Sequence, residues 1–273
     1  MTTTLNSTIS PIRSPRVRLV NNLIAPLDRL AANSVSLIAN QDARFESNGE
    51  AQVLPHYRFI GPLGGDAPIR LGIFAGIHGD EPEGAFALVR FLQLLEAKPE
   101  IATGYSLSVY PVCNPTGFEL NTRYSRNGKD LNREFWKNSR EPEVRLLEAA
   151  LVAQSFDGLI ALHTDDTCEG FYGIARGATL TKHLIEPALA AAASLLPRDE
   201  RAIIDGFRAR NGVISDCYQG VLSAAPKSRP RPFEIILETP AAPPAFVKEA
   251  AFVAALHAIL LEYRKFIAFA PNL

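Results

Sequence analysis

The apolar positions of this chain fall into two rhythms. Short, nearly unbroken apolar runs occur at 69–77 (IRLGIFAGI), 105–112 (YSLSVYPV), 157–163 (DGLIALH) and 233–239 (FEIILET). Runs of strand length without alternation are those of strands buried on both faces. Between them lie stretches of helical character: 82–96 and 141–154, each with a proline at its start, an Ala-rich stretch at 178–196, and 245–267. Proline suits a first helical turn, where its missing N–H costs nothing. Pro187, inside the Ala-rich stretch, is expected to break or kink that helix. Strands alternating with helices predict a three-layer α/β/α sandwich with a mixed, mostly parallel central sheet.

Around this body the pattern loosens. Residues 1–16 are rich in Ser, Thr and Pro and are expected to be loosely ordered. Residues 34–60 hold two β-prone runs separated by SNGE, and predict accessory antiparallel strands. Residues 113–140 are polar and loop-like, and long loops within compact domains are often functional. No repeat and no linker divides the chain, so residues 1–273 read as one domain.

Composition narrows the function classes. Lys and Arg number 28 and Asp and Glu 29, for a net charge of −1. Binding to nucleic acid through phosphate neutralisation calls for a basic excess instead. No apolar stretch has the length of a membrane span and no secretory h-region opens the chain, so a soluble, cytoplasmic protein is expected. Three cysteines (Cys113, Cys168 and Cys217) cannot all pair and none forms C-x-x-C, which argues for a reduced protein.

Chemistry-bearing residues gather where the predicted strands end. His78-Gly79-Asp80-Glu81 follows the first central strand, His163 ends the third, and Glu238 lies near the end of the fourth. Ligands of open α/β sheets bind outside these carboxyl ends. A catalytic zinc takes three protein ligands, and two His with one Glu is a known set. His78 and Glu81, three residues apart, can fold around a metal in one tight turn, with His163 completing the set. Glu238 is then placed to take a proton from water and hand it to a leaving amine. Singly, each residue has an ordinary explanation: Asp80 or Glu81 as a helix cap, His163 as a core histidine. Glu238 is harder to dismiss, because a carboxylate on an apolar strand needs a partner or a raised pKa.

The segment CNPTGFELNTRYSRNGKDLNREFW, from Cys113, makes the pattern specific. The order His78/Glu81, Asn114-Pro115-Thr116-Gly117, Arg123 or Arg126, Asp130-Leu131-Asn132-Arg133, His163 and Glu238 resembles the zinc carboxypeptidase superfamily, which includes the succinylglutamate desuccinylase/aspartoacylase branch. The resemblance runs from about residue 69 to 240 and leaves the first 60 residues uncovered. It implies one zinc per chain on His78, Glu81 and His163, with Glu238 as general base and acid. It implies that Asn132 and Arg133 hold a substrate carboxylate, and that Arg123 or Arg126 polarises the scissile carbonyl. The Thr-Arg-Tyr context favours Arg123, whereas Arg-x-x-Arg spacing favours Arg126, which is also a candidate substrate contact. Tyr218, 20 residues before Glu238, resembles a mobile tyrosine over the substrate. His56, His183 and His257 have no partner pattern, and Cys168, Asp165 and Asp166 are loop groups near His163.

The implied activity is zinc-dependent hydrolysis of an amide bond next to a free carboxylate, on a small molecule or short peptide. FEIILETP (233–240) resembles the base strand of carboxypeptidases, and only one predicted helix follows it, so a metallocarboxypeptidase is favoured over an N-acyl amino acid deacylase. A non-catalytic zinc- or ligand-binding member is the remote alternative. The sequence says nothing of oligomeric state.

Overall fold

The computed structural model describes residues 18–269, apart from 41–42, 48 and 64–66. The expectation for residues 1–16 lies outside the described residues. Helix α1 (Val20–Ala31) is followed by strands β1 (Leu37–Asn40), β2 (Arg44–Ser47), β3 (Glu50–Val53) and β4 (His56–Ile60). Then come β5 (Ile69–Ala75), α2 (Glu83–Ala97), β6 (Tyr105–Tyr110), α3 (Pro115–Leu120), α4 (Pro142–Gln154) and β7 (Gly158–Asp165). After β8 (Tyr172–Gly177) and α5 (Thr181–Ala192) lie the short strands β9 (Ile203–Ile204), β10 (Phe207–Arg210) and β11 (Val213–Ile214). Strand β12 (Phe233–Pro240) and helix α6 (Ala245–Phe269) complete the order.

Ten of these strands form one mixed sheet in the order β1-β4-β6-β5-β7-β12-β8-β11-β10-β9. Its centre, β6-β5-β7-β12, is parallel throughout. The four apolar runs of the sequence are these four strands. Side chains alternate along them, so one sequence feeds two cores. Leu71, Ile73 and Ala75 of β5 and Ile160 and Leu162 of β7 join α1, α2, α5 and α6 in the larger core. Phe74 and Leu159, on the opposite face, pack with Val144, Leu147 and Leu151 of α4 and with Leu131 and Phe135. A chain of this size buries roughly three quarters of its unfolded surface, which leaves the sheet covered on both faces.

Three expectations are corrected. The strands at 34–60 are not all accessory: β1 and β4 extend the main sheet, with β4 pairing antiparallel to β6, and only the β2–β3 hairpin stands apart. Helix α5 runs through Pro187 without a break, because Leu184, Ile185, Ala188, Leu189 and Ala192 bury one continuous face and outweigh the single lost hydrogen bond. The stretch 113–140 is not all loop, since α3 and a 3₁₀ turn at Leu131–Arg133 lie within it. No helix among the described residues is long and apolar enough to cross a membrane, and all three cysteines are free.

Candidate active site

The site is built on the end of β5. The chain leaves the strand at Ala75 and turns so tightly that the Glu81 N–H donates to the His78 carbonyl at 3.3 Å. That turn brings His78 Nδ1 to 2.6 Å from Glu81 Oε1. Pro82, at φ −78°, then leads straight into α2. Asn114-Pro115-Thr116-Gly117 clamps this turn from beneath. The Asn114 carboxamide accepts from the Gly117 N–H at 2.9 Å and donates to the Ile77 carbonyl at 3.3 Å. Gly79 and Gly117 touch backbone to backbone, and a Cβ on Gly79 would lie 1.9 Å from the Gly117 carbonyl carbon. The two motifs are therefore halves of one support.

His163 arrives on β7, the neighbour of β5. Its Nδ1 lies 2.9 Å from Glu81 Oε2, whose oxygen also accepts the Thr164 N–H at 3.0 Å. One ligand atom from each of His78, Glu81 and His163 falls within 4.8 Å of the others, all three buried. The Asp130 carboxylate lies 3.2 Å from His78 Nε2, accepts the Asn132 N–H at 3.0 Å, and is held by Arg123 Nε at 3.0 Å. An imidazole with a carboxylate behind it is the usual support of a metal-bound histidine, because it fixes the ring and its tautomer.

The charges show what this cluster needs. Both His78 nitrogens face carboxylates, and Glu81 faces two imidazoles. Such a set is stable only with protons or a cation among the donors. Burial pushes the His78 imidazole down, but hydrogen bonds with Asp130 and Glu81 outweigh it and raise the ring above its ordinary value. Burial would raise Glu81, but His163 and His78 overcome this and hold it well below the usual carboxylate range. The donor set, two imidazoles and one carboxylate with a carboxylate behind one ring, fits a zinc ion.

Glu238 stands across from the cluster. The β7–β12 register pairs it with His163, so the two share one level of the sheet. Burial, followed by the negative charges of Glu81, Asp165 and Asp205, pushes its carboxyl well above the ordinary value. His78, Glu81, Arg123, Asn132, Arg133, His163, Tyr218 and Glu238 all line one cavity of about 270 Å³.

The two arginine alternatives separate. Arg123 lines this cavity and reaches Glu81 Oε1 at 3.4 Å. Arg126 does not line it: its guanidinium donates to Glu50 on β3 at 2.7 Å. Asn132 lies in the wall, but its carboxamide oxygen accepts the Leu222 N–H at 2.8 Å and its nitrogen lies 3.5 Å from His163 Nε2. Arg133 lines the cavity beside it, its Nη1 donating to the Asn132 carbonyl at 2.9 Å. Tyr218 stacks under Arg133, ring centroid 4.2 Å from the guanidinium carbon. Cys168 is buried with its thiol on the Asp165 carbonyl, His56 stacks on Tyr110, and His183 packs against Phe266.

Sequence reasoning missed Tyr172 and Asp205, both in the cavity wall. Tyr172 belongs to β8, and its hydroxyl donates to Asp165 at 3.0 Å. Asp205 sits in the Asp-Gly turn between β9 and β10, a dipeptide that could have flagged a hairpin.

Comparison with known proteins agrees with this geometry. A family model for the succinylglutamate desuccinylase/aspartoacylase catalytic domain matches residues 68–197, a span that takes in every residue of the metal cluster but stops short of Glu238. A candidate metallopeptidase from Shewanella denitrificans is 23% identical and superposes with a TM-score of 0.73, covering 89% of this chain and 90% of that one. A metallo-carboxypeptidase from Pseudomonas aeruginosa, in complex with (2-guanidinoethylmercapto)succinic acid, is 17% identical with a TM-score of 0.64, covering 88% and 68%. Carboxypeptidase SOL1 of Arabidopsis thaliana is 27% identical over 131 residues, 42% of this chain, and the chain spans about a quarter (24%) of that protein's length. The chain thus has the α/β fold of metallocarboxypeptidases and resembles the zinc carboxypeptidase superfamily in sequence.

Proposed function

We propose that this chain is a zinc-dependent metallohydrolase that cleaves an amide bond next to a free carboxylate, acting as a carboxypeptidase on small peptides. The observation that carries the reading is the meeting, in one cavity, of the His78–Glu81–His163 cluster with Glu238 and Arg133. A zinc ion held by those three residues would supply Lewis acidity and bring the pKa of a water towards about 7. Glu238, with its raised pKa, is tuned to take a proton from the attacking water and return it to the leaving amine. Arg123, pinned by Asp130, presents positive charge where the carbonyl oxygen becomes anionic. Arg133 meets the substrate carboxylate with a planar fork of donors. The relative from P. aeruginosa, whose ligand is a succinic acid derivative, supports a carboxylate-reading pocket.

A second reading has its own support. The match to the desuccinylase/aspartoacylase domain favours release of an acyl group from an N-acyl amino acid. One experiment separates them. Zinc-loaded protein is offered blocked dipeptides and N-acetyl and N-succinyl amino acids, and amino acid release is followed. Turnover of the dipeptides with little on the acyl amino acids is the expected result. The reverse ranking would transfer the assignment to a deacylase, and no turnover of either would leave a binding protein.

A further inference from the structure

We propose a second binding site, at the foot of the sheet and apart from the active cavity, that takes the phosphate group of a small molecule on Arg176, Arg229 and Arg231.

The strand register places it. Strands β12 and β8 run antiparallel, and three cross-strand pairs follow one another at alternate positions: Glu238 with Tyr172, Ile236 with Ile174, and Glu234 with Arg176. Alternate positions share one face of a sheet. The first two pairs line the active cavity. The third lines a separate cavity of about 390 Å³, together with Trp136, Ser223, Arg229 and Arg231. The isoleucine pair is the partition between the two. Arg176 and Arg231 also face a neighbouring cavity that holds Lys182 and no carboxylate in its wall.

The charge of the lower cavity is the reverse of the upper one. In the active cavity Glu81, Asp165, Asp166, Asp205 and Glu238 stand against Arg123 and Arg133. Below the partition three arginines stand against Glu234 alone, in a chain whose net charge is −1. Arg231 is exposed and makes no hydrogen bond or close ion pair among the described residues. Arg229, also exposed, donates to the carbonyl of its neighbour Ser228. Neither is neutralised by a carboxylate.

The central pair is open. Glu234 is 7% exposed, and its Oε1 accepts the Ala224 N–H at 3.3 Å. Its Oε2 and the Arg176 Nη1 are both buried, lie 3.7 Å apart and make no hydrogen bond. A buried ion pair that serves only the fold closes such contacts, because each unmatched polar atom is costly. An oxyanion beside Arg176 accepts the free N–H. Burial raises the Glu234 carboxyl against the pull of Arg176, and in its protonated form it donates to the same anion. Three guanidinium forks around one cavity favour phosphate over a lone carboxylate. A phosphate dianion carries more charge and offers oxygens in several directions, whereas a carboxylate accepts in one plane.

Trp136 supplies the reporter. It is the chain's one tryptophan, it lines this cavity, and its indole N–H is fixed on the Ser223 carbonyl at 3.0 Å.

The test titrates zinc-loaded full-length protein with inorganic phosphate, pyrophosphate, adenosine monophosphate and citrate at constant ionic strength. Trp136 fluorescence and calorimetry follow binding. Saturable binding of the phosphate compounds, with citrate at least about tenfold weaker, is the expected result. Tightest binding of adenosine monophosphate would support the site as one for a nucleotide, and tightest binding of pyrophosphate would support it as one for free phosphates. Arg231→Ala, at an exposed side chain, should weaken binding about tenfold or more, and Arg176→Lys, which keeps the charge but loses the fork, should weaken it in the same direction. Arg123→Ala, in the active cavity, should leave the Trp136 response in place. A response lost in Arg123→Ala but kept in Arg231→Ala would put the anion in the active cavity and overturn the proposal. Citrate bound as tightly as pyrophosphate would overturn the phosphate assignment, and no saturable binding of any phosphate compound would overturn the site. These measurements need no turnover, so they decide the proposal whether or not the hydrolase reading holds.

Discussion

The two sides of the cavity are made differently. The reacting side is carried by the ends of β5, β7 and β12, parallel strands paired over their whole length and buried on both faces. The opposite rim is carried by β9, β10 and β11, two to four residues each, and by the loop with Tyr218. On the first side the metal-type residues are held by one another, as with Glu81, which receives two imidazoles and an N–H. On the rim Asp205 and Tyr218 are exposed and hold mainly each other. Chemistry that needs placement to a fraction of an ångström sits on rigid strands, whereas recognition sits on elements that can vary without moving the reacting groups.

Four substitutions set the two sides against each other. Glu238→Gln keeps shape but cannot accept a proton, so kcat should fall by roughly 10² to 10⁴ with metal content unchanged. Near-normal turnover would move the base elsewhere, with Asp165 the next carboxylate in the cavity. His163→Ala removes one of three ligands, so zinc retention through dialysis should drop by about two orders of magnitude or more. Metal analysis showing one zinc per chain in that variant would break the ligand assignment.

Arg133→Lys tests the boundary between the sides. Lysine keeps the charge but loses the fork, so kcat/KM on substrates with a free carboxylate should fall by about tenfold or more. Amidated substrates, which lack the anion, should be poor with both enzymes and scarcely change. An equal loss on both kinds would point to damaged folding or metal binding. Tyr218→Phe is the mildest. It keeps the ring under Arg133 but loses the hydroxyl's bond to Asp205, so KM should rise a few-fold while kcat holds. A collapse of kcat in this variant would place Tyr218 among the reacting groups and end the contrast.

What the sequence revealed follows the same division. The four central strands were legible because full burial demands unbroken apolar runs. The cluster was legible because His78 and Glu81 share one turn and His163 ends a strand. The choice between Arg123 and Arg126 was not, since residues three apart in an irregular loop face different ways and only the loop's path decides. Helix α1 was missed although Val20, Leu23, Ile24 and Leu27 follow the helical period, because Pro26 interrupts it. Strand β8 was missed because Gly173 and Gly177 dilute its apolar run, and β9–β11 are too short for any period to register. The spent state of Asn132 was invisible for another reason. Its partner, the Leu222 N–H, lies 90 residues away.

The sheet order also bears on how the chain is made. β12 lies between β7 and β8, yet it is synthesised after both. A growing chain that has emerged through β8 already carries His78, Glu81 and His163 and could hold a metal before Glu238 exists. During that interval β7 and β8 each lack the neighbour that will separate them, and an unpaired apolar edge is where nascent chains stick to one another. The strand that carries Glu238 is thus also the one that closes the sheet, so the His78–Glu81–His163 cluster can assemble during synthesis before Glu238 joins it, but the full cavity cannot precede a closed fold.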